Sequence, residues 1–217
     1  MSGIAVLVLA AGSADAALLS RAGGEAVYDT ALNITWLADA NYARTSGFAD
    51  AGPDGRMPWG TARSWIDSLN AESGGVGHLG VNDWRLPQTA QPDAGCSNQE
   101  PGKSSGTGCS GSEMGHLYYL DGVTAAAPGL FSNVQLVYWS DTSYAPNAQN
   151  AWAFGFSNGV QDIGWKVLTL SAWAVRDGDI DDAGAVPAPG ALWLLGTGIV
   201  ALAAKLKRRV RDAGVAA

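Results

Sequence analysis

The fifteen residues from Gly190 to Ala204 carry no charge and run directly into Lys205-Leu206-Lys207-Arg208-Arg209, so this end of the chain is unsuited to a water-facing fold. As a helix at about 1.5 Å per residue the stretch covers roughly 22 Å of a hydrocarbon core near 30 Å thick, and adding 185–189 brings it close to spanning. The pattern predicts a transmembrane helix over 190–204 and a basic cytoplasmic tail over 205–217, with Lys205, Lys207, Arg208 and Arg209 as the stop-transfer cluster. Ahead of it, 181–189 reads as an acidic, proline-bearing linker that ends in Val186-Pro187-Ala188-Pro189.

The other end also reads as a processing segment. Ile4 to Ala11 is a short apolar run, and Ala14 and Ala16 place small side chains where a signal peptidase reads, which predicts a signal peptide over 1–16. Only Met1, Ser2 and Gly3 precede the run, without the usual positive charge, so a start upstream is one reading and a buried N-terminal strand is another. Removing both ends leaves 17–180, enough for one domain with a proper core.

Between Ala17 and Ala185 there are 18 Asp and Glu against eight Lys and Arg, a net charge of −10, while five of the 13 basic residues crowd the tail. An acidic domain repels phosphate backbones and gains nothing from counterion release, so nucleic acid is excluded as a partner, and sulfated glycans fit poorly. Cys96 and Cys109 bracket a Gly/Ser-rich stretch with no histidine nearby. In an exported chain such a pair reads as a disulfide worth about 3 kcal/mol in the chain-entropy model. Free thiols in a soft loop are the alternative, and zinc lacks ligands.

Period and punctuation predict an α+β domain of antiparallel strands and two short helices. Ala26–Tyr28 and Asn33–Leu37 read as strands around a turn, and Trp59, Ala62, Trp65, Ile66 and Leu69 recur at helical spacing behind Pro58. Ser112 is a candidate N-cap for a helix that turns Met114, Leu117 and Tyr118 inward. Val137–Ser140 and Ala151–Ser157 read as strands, Asn158-Gly159 asks for a two-residue hairpin turn, and 165–170 and 172–176 complete an antiparallel set.

Few residues invite a chemical role. Asp83-Trp84-Arg85 could offer a carboxylate fork beside a stacking face, but reads better as a pinned turn with Trp84 and Leu86 in the core. Asp177, Asp179, Asp181 and Asp182 alternate as cation ligands do, yet lack the glycine and the later Glu of a calcium loop, and read as solvated linker. His78 and His116 have no carboxylate or cysteine at a useful spacing. The sequence therefore yields no catalytic residue, no metal ligand and no cofactor. Most of the eight tryptophans ahead of the tail should be core, with one or two left exposed to stack on sugar rings.

Two resemblances complete the reading. Val186-Pro187-Ala188-Pro189, the apolar stretch with Trp193-Leu194-Leu195-Gly196-Thr197-Gly198, and the basic stop resemble the PEP-CTERM sorting signals of Gram-negative bacteria, with Ala188 in place of the acidic residue of the name-giving motif. That implies recognition by an exosortase-type sorting protease; an ordinary membrane anchor would give the same topology. Tyr28-Asp29-Thr30, Met57-Pro58-Trp59, Asp83-Trp84-Arg85-Leu86-Pro87, Ser112-Glu113-Met114, Tyr138-Trp139-Ser140, Asn150 to Phe154 and Ala174-Val175-Arg176 resemble, in that order, the Lcl C-terminal domain family. The family takes its name from a bacterial collagen-like surface adhesin, and the resemblance implies a fold related to C-type lectin and formylglycine-generating-enzyme domains.

The combined expectation is a non-enzymatic recognition or adhesion module. It would be exported, held in the inner membrane, and sorted to the cell surface or extracellular matrix, with extracellular polysaccharide or another matrix component as ligand. A formylglycine-generating-like enzyme and an inert matrix component are the alternatives.

Overall fold

The computed structural model describes residues 17–181. The predicted signal peptide, the sorting motif Val186–Pro189, the apolar stretch, the stop-transfer cluster and Asp182 lie outside the described residues. Among those described, no helix is long and apolar enough to cross a membrane.

The fold is α+β with exclusively antiparallel ladders in three sheets. In the first, β1 (Leu18–Arg21), β2 (Ala26–Asp29) and β3 (Ile34–Leu37) form a meander, and β9 (Val175–Asp177) pairs with β3. The strand Leu18–Arg21 is unmarked in the sequence because it alternates weakly and lies half exposed on an edge. The closing strand, expected beside its C-terminal neighbours, instead joins the N-terminal sheet and brings the two ends of the domain together.

Helix α1 (Tyr42–Thr45) is a single turn absent from the sequence reading, and α2 (Trp59–Gly75) is the helix foreseen behind Pro58, longer than the short helix expected there. Pro58 is the N-cap: its φ of −60° and ψ of 155° are extended, its missing N–H costs nothing there, and its carbonyl accepts the Ala62 N–H. Ala62, Trp65, Ile66 and Leu69 face the core as their spacing requires. The helix unwinds at Ser73, Gly74 and Gly75, all at positive φ, and the chain then turns through Gly77. Only glycine fits there, because a Cβ would lie 1.9 Å from the Val81 carbonyl oxygen at a φ of +88°.

The cysteine-bearing segment departs most from expectation. It forms a hairpin, β4 (Asn98–Glu100) with β5 (Lys103–Ser105), closed by the Cys96–Cys109 disulfide, and both cysteines are buried. The Gly106–Gln161 bridge and a hydrogen bond from Gln161 Nε2 to the Ser104 carbonyl dock it on the third sheet. It is therefore an ordered element; its Gly and Ser content, which reads as softness, supplies turns and close approaches.

Helix α3 (Glu113–Tyr119) follows. Ser112 holds the N-cap position, but its hydroxyl accepts the Ala90 N–H rather than one from the helix. Gly115 lets α3 rest on the disulfide segment, since a Cβ would fall 1.8 Å from the Cys109 carbonyl oxygen.

The third sheet orders β6 (Val137–Ser143), β7 (Asn150–Gly155) and β8 (Gln161–Trp165). The β7–β8 connection is longer than the two-residue turn expected from Asn158-Gly159. Gly155 N–H bonds to Val160 O and Gly159 N–H to Gly155 O, so four residues span it and only Gly159 takes a positive φ. Between the sheets Trp173 packs on Trp36, Phe131, Tyr138 and Phe156 and donates its indole N–H to the Leu37 carbonyl. Burial pushes the Tyr138 hydroxyl pKa upward, against the lowering effect of the Gln135 N–H donated to it.

Candidate functional site

The Asp83-Trp84-Arg85 block is a structural clamp. Arg85 forks onto Glu113, with Nη1 at 2.8 Å from Oε2 and Nη2 at 2.7 Å from Oε1, and reaches Asp177 Oδ1 at 2.6 Å. Burial would pull its pKa down, but the Glu113 and then the Asp177 carboxylates outweigh this and hold it above its ordinary value. Asp83 pairs with Arg176 at 2.7 Å, while Trp84 and Leu86 are buried. One clamp thus ties the loop at 83–87, the start of α3 and β9.

The acidic segment at the end of the domain belongs to the same scaffold. Asp177 is held by Arg85, and Asp179 and Asp181 by Arg21. Ile180 is buried, so the expected solvated linker is part of the fold at least to Asp181. Arg21, through its hydrogen bonds, lowers the Asp179 pKa against the opposing effect of burial. Asp177, Asp179 and Asp181, three of the four residues that resemble cation ligands in the sequence, are already paired with arginines far along the chain.

Both histidines have carboxylate neighbours that sequence spacing did not reveal. His78 Nδ1 lies 2.8 Å from Glu72 Oε2, and its ring packs on Tyr42. His116 approaches Asp121 at 3.6 Å, and Asp29 completes a group of three. The Asp121 carboxyl is pushed upward by burial and by the Asp29 carboxylate, with His116 opposing. A second grouping, Asp93 with Cys96 and Cys109, has no free thiolate to offer because the sulfurs are bonded to each other.

The tryptophans separate clearly. Six of the eight are buried; Trp59 and Trp165 are the exceptions. Trp59 is partly covered, with Lys166 Nζ 4.0 Å and the Arg63 guanidinium 5.0 Å from its ring centre, and its indole N–H bonds to the Ser140 carbonyl. Trp165 is 66% exposed at the end of β8, followed by Val167 and Leu168, also exposed. Leu168 N–H returns to Trp165 O in the turn, and Leu168 also borders a cleft of about 260 Å³ lined by Val137, Ala153, Val160 and Ile163. Asn158 and Asp162 bring polar groups to its edge. Sequence alternation could anticipate an exposed tryptophan but not which one, because Trp165 and the buried Trp152 both sit in strands.

These features define an α+β module with an arginine-clamped scaffold and an exposed aromatic side chain at the end of β8. The chain belongs to the Lcl C-terminal domain family, whose model matches residues 25–176. The match runs from just before β2 to the middle of β9 and includes the cysteine hairpin. No curated protein matches the chain.

Proposed function

We propose that this chain is a surface-sorted, non-enzymatic recognition module that binds extracellular polysaccharide through the exposed face of Trp165 and its neighbours Val167 and Leu168. The observation that carries this reading is the 66% exposure of Trp165 on a chain that buries six of its other tryptophans. Such an aromatic face covers a pyranose ring at little entropic cost. Exposed Val167 and Leu168 extend the apolar surface beyond it. The domain's net charge of −10 favours a neutral polymer over a sulfated one.

The relation to C-type lectin domains is part of this proposal, as is the sorting route. Ala17 is tied to Thr30 through both its N–H and its carbonyl, so a chain cut after Ala16 keeps β1 anchored. The PEP-CTERM-like tail supports handling by an exosortase-type protease at the inner membrane. The enzymatic alternative requires a reactive cysteine, whereas Cys96 and Cys109 are buried and joined to each other, which favours the recognition reading.

A glycan array and a pull-down with the producing cell's own extracellular polysaccharide test the proposal. Binding to a neutral glycan set supports it; flat binding at high protein concentration overturns it and leaves the inert matrix component. Deleting 186–217 should release the protein from the membrane, and retention would refute the sorting route.

A further inference from the structure

Asp29, His116 and Asp121 come from separate parts of the chain and aim unpartnered atoms at one another. Asp29 is completely buried at the end of β2. Its Oδ1 accepts the Ala31 and Leu32 N–H groups at 2.9 and 3.1 Å, which shapes the turn into β3, and its Oδ2 accepts nothing. His116 lies in the last turn of α3, and Asp121 follows just beyond the helix. Their side chains are 12% and 7% exposed, and both His116 Nε2 and Asp121 Oδ2 lack a hydrogen-bond partner. Ligand-type atoms of the three residues all lie within 4.8 Å of one another.

The charge balance is equally incomplete. Among the described residues neither carboxylate pairs with an arginine or lysine, in contrast to the arginine-matched Asp177, Asp179 and Asp83. Leaving one buried polar atom unpaired costs about 1–3 kcal/mol, so three converging on one point form an expensive arrangement unless something occupies it. A divalent cation would satisfy all three atoms and offset two negative charges together.

The donor chemistry narrows the cation. One imidazole nitrogen with two carboxylate oxygens suits zinc or a neighbouring first-row divalent ion better than calcium or magnesium, which favour oxygen alone. A tetrahedral zinc ion with bonds of about 2.0–2.2 Å needs ligand atoms roughly 3.3 Å apart. The His116–Asp121 separation of 3.6 Å is already near that value. Modest side-chain closure would complete three protein ligands, with water as the fourth.

We infer that Asp29 Oδ2, His116 Nε2 and Asp121 Oδ2 form a site for a zinc-class divalent ion. The ion ties the β2–β3 turn to the end of α3. The site is separate from the Trp165 surface, so failure of glycan binding would leave it untouched.

The test uses the full-length chain stripped with a chelator and titrated with Zn2+, Mn2+ and Ca2+ by calorimetry and thermal unfolding. One equivalent of Zn2+ or Mn2+ should bind, and free ion at about a hundred times its Kd should raise Tm by roughly 5–10 °C. His116→Gln and Asp121→Asn should each weaken binding by about 100-fold or more, while His78→Gln, at the other histidine–carboxylate pair, should leave it unchanged. Co2+ substitution gives a readout on the unmutated chain, independent of variant folding: its absorption spectrum should report nitrogen and oxygen ligands without sulfur. Absence of Zn2+ and Mn2+ uptake, a response to Ca2+ alone, or binding unaffected by both His116→Gln and Asp121→Asn would overturn the assignment and indicate that protons alone balance the cluster.

Discussion

The four-stranded and three-stranded sheets treat their surfaces in opposite ways. Around β1-β2-β3-β9 most strand-end charges are matched, Arg21 with Asp179 and Asp181, Arg85 with Glu113 and Asp177, and Arg176 with Asp83, Asp29 at the end of β2 being the exception. At the edge of β6-β7-β8, the strand β8 ends in exposed Trp165 and runs into exposed Val167 and Leu168. The first surface is largely satisfied by its own ion pairs, while the second leaves a large aromatic side chain exposed. The Asp-Trp-Arg motif, conspicuous in the sequence, therefore serves the scaffold, and the proposed recognition surface lies in a less conspicuous place.

The strongest way to break this contrast is to damage what the sheets share. Trp173→Ala removes a fully buried ring that four other aromatic rings surround, and should cost about 3–5 kcal/mol in denaturant unfolding. Arg85→Met should cost about 2 kcal/mol by leaving the partly buried Glu113 without its partner, and the added change Glu113→Leu should recover part of the loss. A double mutant that recovers nothing would mean that the clamp acts through something other than its charges.

On the other sheet, replacing Cys96 and Cys109 together by Ser should cost about 3 kcal/mol or somewhat less. Faster amide exchange should be concentrated in β4, β5 and the edge of β8, where the hairpin docks. A smaller effect comes from acid. Because the folded-state pKa of Asp179 is lowered, its pairing with Arg21 stabilises the fold above the ordinary carboxylate pKa near 4 and is lost as pH falls through the depressed value. Asp179→Asn should flatten that part of the stability profile, measured by unfolding midpoints between pH 6 and 2.

Much of the scaffold is legible in the sequence because local rules govern it. The face of α2 follows from the spacing of Ala62, Trp65, Ile66 and Leu69, and the identity of β2, β3, β6 and β7 follows from apolar runs between turns. Local rules cannot show which distant strand completes a sheet: the strand read over 172–176 pairs with β3 rather than with its C-terminal neighbours, and the strand read over 165–170 is a turn that follows β8. The same limit hid the arginine partners of Asp177 and Asp179 and the meeting of His116 with Asp29. The cysteine segment was misleading for another reason: Gly and Ser indicate softness only where nothing closes the loop, and here a buried disulfide does. For the candidate site, composition suggested an exposed tryptophan, but only the end of β8 identifies Trp165.

The smallest expected change in stability accompanies the most informative change in binding. Trp165→Ala removes an exposed side chain and should shift unfolding by no more than about 0.5 kcal/mol. Measured side by side on wild type and Trp165→Ala, binding to the producing cell's extracellular polysaccharide should weaken by about 10-fold or more, equivalent to roughly 1.4 kcal/mol, at an unchanged unfolding midpoint. Equal binding by the two proteins at equal stability would contradict the assignment of the open sheet edge as the recognition surface.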